Sequence, residues 1–425
     1  MWPLFKIVNF FFLLVSSYFW MAFMLPGNIV TLGVSLLMIV CFALGNFRIQ
    51  VTPRVYALLG ILMLYSLYMV YILDFGFGAS TFFTYLPAAL IFMLNKEHQE
   101  DLLGFVTKWF AILMAASIAW YGLSMVVSLP HTSFMPAALE GYYANFDNYG
   151  LFVVAKEMYQ DSEFNVIRFS GPFLEPGHQS MICVLLMFAN RFNFKKNPYL
   201  WILLLSTLLS LSLAGYVMLI IGLSLIKIRR LPSMIGLVTL LTGAWLFVTV
   251  IWNDGQNPVN VLVVERLEFD EQKGIKGNNR TIKQTDHYFR KCVDDGTIWL
   301  GVQSNKEQKY KIRGAGYKIF MLRYGIVSLL FVATIYLMLI NPKANRRFSI
   351  SFFLFICIIF LQRAYPGWYS WLLPYVLGIG ITRDMNHLFS QTHHNDEGKE
   401  EMAENMNDRK ETGSAIESSD QPCTL

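Results

Sequence analysis

Apolar runs long enough to cross a lipid bilayer recur along almost the whole of this chain, and that recurrence leaves few folds open to it. A hydrocarbon core about 30 Å thick is crossed by a helix of about 20 residues, since each residue rises about 1.5 Å. Backbone polar groups in lipid must be satisfied inside the spanning segment, which restricts spans to helices or closed barrels. The runs predict helices near 7–25, 28–46, 55–73, 77–94, 103–128, 179–192, 198–211, 212–228, 233–251, 319–340, 348–361 and 368–381. With 55% of residues hydrophobic and only 15% charged, the predicted fold class is all-α, a polytopic transmembrane helical bundle of about twelve helices. The first run follows Lys6 in the manner of a signal peptide. Because a second run follows with no polar mature domain between them, it reads as a retained first helix. Five cysteines stand singly at Cys41, Cys183, Cys292, Cys357 and Cys423, which offers neither a disulfide framework nor a CxxC metal site.

Orientation follows from the short basic loops, which hold Arg48 and Arg54, Lys96, Arg191 with Lys195 and Lys196, Lys227 with Arg229 and Arg230, and Lys343 with Arg346 and Arg347. A twelve-helix path with both ends in the cytoplasm puts every cluster inside. This path requires the stretch Pro198–Ile226 to be a hairpin of two short helices, turning near Ser210 to Gly215, because basic clusters flank it on both sides. Such helices fall short of the bilayer and call for protein neighbours, local thinning or a wet recess at their outer end. Two long loops, 129–177 and 252–318, then lie outside. Residues 1–381 are predicted to form the transmembrane domain. Residues 382–425, with ten acidic and four basic side chains from Arg383 onward and no apolar period, read as a disordered acidic cytoplasmic tail.

The loops hold the residues with chemistry in them. In the second, Asn278–Lys291 places Arg280, Lys283, His287, Arg290 and Lys291 at helical spacing on one basic stripe. A stripe of that kind suits an anionic headgroup, and equally a solvated helix face or anionic lipid. Further on, Lys309 to Lys318, including Arg313, sets cations beside Gly314 and Gly316, where backbone amides can approach a phosphate. The first loop is acidic and aromatic, with Glu140, Tyr142, Tyr143, Phe146, Asp147, Tyr149 and Phe152, a composition shared by sugar-binding surfaces and interfacial helices. Its last part, Arg168-Phe169-Ser170-Gly171-Pro172-Phe173-Leu174-Glu175-Pro176-Gly177-His178, brings a guanidinium, a carboxylate and an imidazole to the mouth of a helix. Pro176 suits the first helical position and the glycines suit tight turns. Arg363 stands in the short external turn Gln362–Trp368, where interfacial anchoring also accounts for it. The acidic pairs Asp161/Glu163 and Glu268/Asp270 have the spacing but not the company of a metal site, so no metal and no cofactor is expected.

The string Arg-x-x-Gly-x-Phe-x-Glu-Pro from Arg168 to Pro176, together with five helices, a large external loop, four helices and a second large external loop, resembles the Wzy-type O-antigen and capsular polysaccharide polymerases of the O-antigen polymerase and ligase superfamily. The resemblance covers the chain up to about residue 381. It implies a GT-C-like glycosyltransferase architecture in the bacterial inner (cytoplasmic) membrane, active on the external, periplasmic face. The implied reaction is metal-independent transfer of an undecaprenyl-pyrophosphate-linked oligosaccharide onto a lipid-linked repeat unit. The implied partners are membrane lipid, a chain-length regulator and a flippase, with no nucleic acid. In that family arginines of the two external loops grip the pyrophosphate, which points here to Arg168 and, in the second loop, to Arg280, with Arg290 and Arg313 behind it and Lys283 on the same stripe. The acceptor hydroxyl must lose a proton, and Glu175, His178 and His287 are the candidate bases. Glu175 is equally a candidate to orient Arg168 as its ion-pair partner. A ligase that transfers finished glycan to another acceptor, and a non-enzymatic transporter of lipid-linked sugar, are the alternatives. The transporter calls for charge along the helix centres, where this sequence has almost none.

Overall fold

A computed structural model of the full chain describes residues 1–21, 27–45, 47, 49–73, 80–134, 145–155, 167–227, 236, 239, 242–253, 256–257, 259–265, 269–270, 274–275, 283–302, 316–340, 345–363 and 365–380. The described helices are α1 (Trp2–Val15), α2 (Gly27–Leu44), α3 (Pro53–Tyr71), α4 (Ser80–Met93), α5 (Lys96–Ser124), α6 (Pro176–Ala189), α7 (Tyr199–Leu209), α8 (Leu213–Lys227), α9 (Lys283–Asp294), α10 (Tyr317–Met338), α11 (Arg346–Gln362) and α12 (Tyr369–Gly380). All except α9 answer to predicted apolar runs. The predicted run 233–251 is described only in part, ending in a π-helical turn at Phe247–Ile251. Among the described residues α3, α5 and α10 are long and apolar enough to cross a membrane, and most of the other apolar helices are shorter. Exposed Tyr56, Met63, Leu64 and Tyr71 on α3, and Trp201 and Leu208 on α7, cover the outside of the bundle with apolar surface. A surface of that kind belongs to a membrane-associated protein.

At the centre α6 and α12 are buried along almost their entire lengths. They lie parallel and side by side. His178 in the first turn of α6 meets Trp368 at the start of α12, while at the other end a Cβ on Gly378 would stand 2.9 Å from the Ala189 Cα. Their N-termini therefore emerge at the same end of the bundle. Arg363, which follows the last residue of α11, reaches that end from the opposite chain direction.

The structure departs from the predicted runs at the first helix. The first helix, expected over 7–25, ends at Val15 because Ser16 and Ser17 turn their hydroxyls back onto the Leu13 carbonyl, at 3.1 and 3.0 Å, which competes with helix continuation. The chain then turns and bridges to the motif loop at Phe19 and Phe173. Trp20 N–H donates to the Pro172 carbonyl at 3.1 Å and Leu174 N–H to the Tyr18 carbonyl at 3.0 Å. The first long loop, whose composition suited a sugar-binding surface and an interfacial helix equally, has strands between residues 132 and 155. It forms an antiparallel sheet of β1 (Thr132–Phe134), β2 (Phe146–Asn148) and β3 (Val153–Ala155), in the order β1-β2-β3. Two further short strands, β4 (Phe269–Asp270) and β5 (Gly274–Ile275), pair in the second loop. The predicted hairpin in 198–228 is present as α7 and α8, turning at Ser210–Ser212 with Leu211 in a left-handed conformation (φ 44°).

Candidate functional site

The segment 168–175 is braced on two sides before it enters α6. On one side lie Tyr18–Trp20, and on the other β3, where Val153 N–H donates to the Gly171 carbonyl at 2.9 Å and Ser170 Oγ donates to the Val153 carbonyl at 2.6 Å. Gly171 has φ 54°, in the left-handed region that a side chain would strain. Phe169, Phe173 and Leu174 are buried beneath it. The sheet fixes this loop with the aromatic residues whose composition suited a sugar-binding surface or an interfacial helix. Phe146 and Phe152 are fully buried, and Tyr149 stacks on Phe152 at 4.5 Å. Asp147 is buried and accepts a hydrogen bond from Ser133 at 2.6 Å. These side chains make core, not a binding face, while Glu140, Tyr142 and Tyr143 lie outside the described residues.

At the mouth of α6 three polar side chains close on one another. Arg363 Nη1 lies 2.6 Å from Glu175 Oε2, and the same nitrogen donates to His178 Nε2. His178 Nε2 stands 3.5 Å from Glu175 Oε2. His178 and Arg363 are 3% and 5% exposed, so their bonds form away from water. Gly177 makes the approach possible, since a Cβ there would fall 2.6 Å from Arg363 Nη2. Glu175 is thus an ion-pair partner of Arg363. Arg363 is a buried member of the cluster and not an interfacial anchor. A guanidinium only donates, so its contact with His178 Nε2 uses the lone pair of that nitrogen. Because Arg363 occupies that lone pair, His178 is a weak candidate for a base.

An aromatic wall surrounds the cluster. The Tyr18 ring lies 4.5 Å from His178 and 5.0 Å from Trp368, and Trp368 stacks on Tyr365 at 4.3 Å. Tyr18 has φ 58°, a strained value for a residue with a side chain. Burial, with Tyr365 and Glu175 beside it, pushes the Tyr18 hydroxyl well above its usual range, so it remains a protonated donor at neutral pH. Sequence reasoning missed Tyr18 and Trp368. Tyr18 sat inside a predicted helix, and nothing local in the sequence marks its turn.

Arg168, half-buried, donates from Nε to the Ser210 carbonyl at 3.2 Å, and Phe169 N–H donates to the Leu209 carbonyl at 3.3 Å. The turn of the α7/α8 hairpin is therefore seated against the loop, with Ser212 on its far side 3.5 Å from a Cβ built on Gly177. Arg168 and Glu175 are both brought to this end of the bundle.

From Lys283 onward the predicted basic stripe is helical, in α9. His287 and Arg290 are exposed, while Thr285 and Cys292 are buried over Ile298, Val302, Ile319 and Leu322. Lys318 ties the helix down through Asp286 at 2.7 Å. Lys283 is its first residue. Arg280 and Arg313 lie outside the described residues, as do Asp161, Glu163 and Glu268. Among the described residues no group of three His, Cys, Asp or Glu side chains is placed to hold a metal ion. Compared with known protein families, with curated proteins and with solved structures, the chain has no match.

Proposed function

We propose that this chain is an integral membrane glycosyltransferase that moves a polyprenyl-pyrophosphate-linked glycan onto a lipid-linked oligosaccharide repeat unit, on the external face of a bacterial inner membrane. The observation that carries the proposal is the cluster of half-buried Glu175 with buried Arg363 and His178 where the motif loop enters α6. It sits beside two parallel helix N-termini at one end of an apolar bundle. Helix N-termini favour developing negative charge, and here they share an end with Arg168. In the reaction the anomeric carbon–oxygen bond breaks and its electrons leave with the lipid pyrophosphate. The acceptor oxygen bonds to that carbon, and its proton passes to a base. Arg168 and Arg280 bind the pyrophosphate in bidentate fashion without a metal. Arg290, Arg313 and Lys283 extend the same cationic surface. Glu175 is the base, because the His178 lone pair is occupied, and Arg363 holds Glu175 in place. His287, exposed on α9, lies within the basic surface and contacts substrate there.

Deleting the gene and resolving the surface glycans by gel electrophoresis tests the reading. Loss of a polymerase leaves single repeat units attached to the final acceptor. Loss of a ligase leaves long chains on the carrier lipid and none on the acceptor. Long attached chains that persist unchanged exclude both. In the restored strain, Arg168→Ala should abolish chain extension. Because Arg168 also holds the hairpin turn, the amount of inserted protein must be measured alongside.

A further inference from the structure

Beside Arg363 the packing leaves a cavity of about 10 Å³, lined by Ser17, His178, Arg363, Trp368, Ser370 and Trp371 among others. That is close to the space one water molecule requires. Two of its lining groups are buried polar atoms with no hydrogen-bond partner among the described residues, Arg363 Nε and Ser370 Oγ, on side chains of residues 5% and 1% exposed. They come from different elements, the end of α11 and the first turn of α12. A buried donor left unbonded is penalised heavily, and more so on a charged group. We infer that the cavity is a specific site for one water molecule, which accepts from Arg363 Nε, bonds to Ser370 Oγ and locks the guanidinium against Glu175.

The surroundings decide between water and other occupants. The charge of Arg363 is already met by Glu175 at 2.6 Å, so an anion would enter a site with no positive charge left for it. Met181, Ile182 and Trp371 supply apolar walls, and the space is too small for a sugar ring or a phosphate. Ser17 lines the same cavity and gives its proton to the Leu13 carbonyl, which leaves its oxygen lone pairs as a third partner for the water. A neutral molecule that both donates and accepts fits all three. The water makes Arg363 a positioning residue. One nitrogen faces Glu175 and His178, another faces the water, and the fork is held rigid between α6 and α12.

The site stands on the cavity and the two buried atoms, so its test is read in density and spectra, apart from any glycan assay. Cryo-electron microscopy of the full chain in lipid nanodiscs, at a resolution where ordered waters are visible, should show one peak within hydrogen-bond distance of both Arg363 Nε and Ser370 Oγ. An empty cavity, or an Arg363 turned so that Nε bonds to protein, overturns the inference. In protein labelled with ¹⁵N-arginine, the Arg363 Nε resonance, assigned by its loss in Arg363→Lys, should shift in Ser370→Ala and stay in place in Ser370→Thr. A resonance unmoved by Ser370→Ala also overturns it.

Discussion

Arg363 and Gly177 set the geometry of the site at the scale of single atoms. Removing one partner of a fully buried ion pair costs about 3–5 kcal/mol, and Glu175, with 20% of its side chain exposed, makes that an upper bound here. Arg363→Gln should therefore lower the thermal midpoint in detergent sharply, and Arg363→Lys should recover only part, because an ammonium lacks the planar fork that meets both Glu175 and His178. The double variant Arg363→Gln/Glu175→Gln should be more stable than Arg363→Gln alone, since it leaves no unpaired carboxylate. A double variant that is the less stable of the two would mean that the pair is not the source of the loss. Gly177→Ala places a methyl 2.6 Å from Arg363 Nη2, so the guanidinium must move. On the proposed activity, turnover should then fall by more than tenfold while the protein still inserts. Glu175 and His178 were legible in the sequence because they are three residues apart at a helix mouth. Their bonds to Arg363 were not, because they close between residues 188 and 185 apart in the chain, and such contacts leave no local pattern.

At the scale of elements, α10 shows what an apolar run does not reveal. The run reads as one helix, but Gly325 has φ 78° and ψ 169°, and the helix breaks there. The break brings Gly325 against Gly301 (φ 82°), where a Cβ on Gly325 would lie 2.5 Å from the Trp299 carbonyl oxygen. The Tyr68 hydroxyl faces the Leu300 and Tyr324 carbonyls, at 2.8 and 3.1 Å, supplying the bond that the interrupted helix lacks. The α9 helix packs on this junction through the 3₁₀ turn Thr297–Trp299, so the basic stripe is anchored to the broken helix. Gly325→Ala should destabilise by more than about 2 kcal/mol, from both the strained φ and the backbone clash. Gly60→Ala, where a Cβ meets nothing within 4 Å, should be neutral or slightly stabilising. Comparable thermal midpoints for the two variants would refute the packing argument. Periodicity located α3, α6, α7, α8, α11 and α12 within a few residues, because each is an apolar run bounded by polar residues. It missed the end of α1, where two serines outcompete helix propagation. It also missed β1, β2 and β3, whose three-residue strands are too short to show alternation.

At the scale of the whole molecule, the arrangement of ends decides which loops share a face. The α7/α8 hairpin turns against Arg168, so Lys196 before α7 and Lys227 at the end of α8 lie at the opposite end from the motif loop. Helices of 11 and 15 residues reach only about 17 and 22 Å at about 1.5 Å per residue, short of a full crossing. The hairpin packs on α5 and α6, with its turn against the motif loop at Arg168. The net charge of +5 divides unevenly as well. The acidic segment from Arg383 carries −6 (four basic less ten acidic), which leaves +11 for the rest, including twelve basic residues in 252–318. This placement is open to direct labelling. In a chain freed of its five cysteines, single cysteines at Lys196 and Lys227 should react with a membrane-impermeant maleimide only after the cells are opened, and cysteines at exposed His131 and His287 should react in intact cells. Positions 196 and 227 reacting from opposite sides would require one crossing between them. That result would reverse every later helix, separate α9 from the motif loop by the membrane, and remove the basis for a site made by both loops.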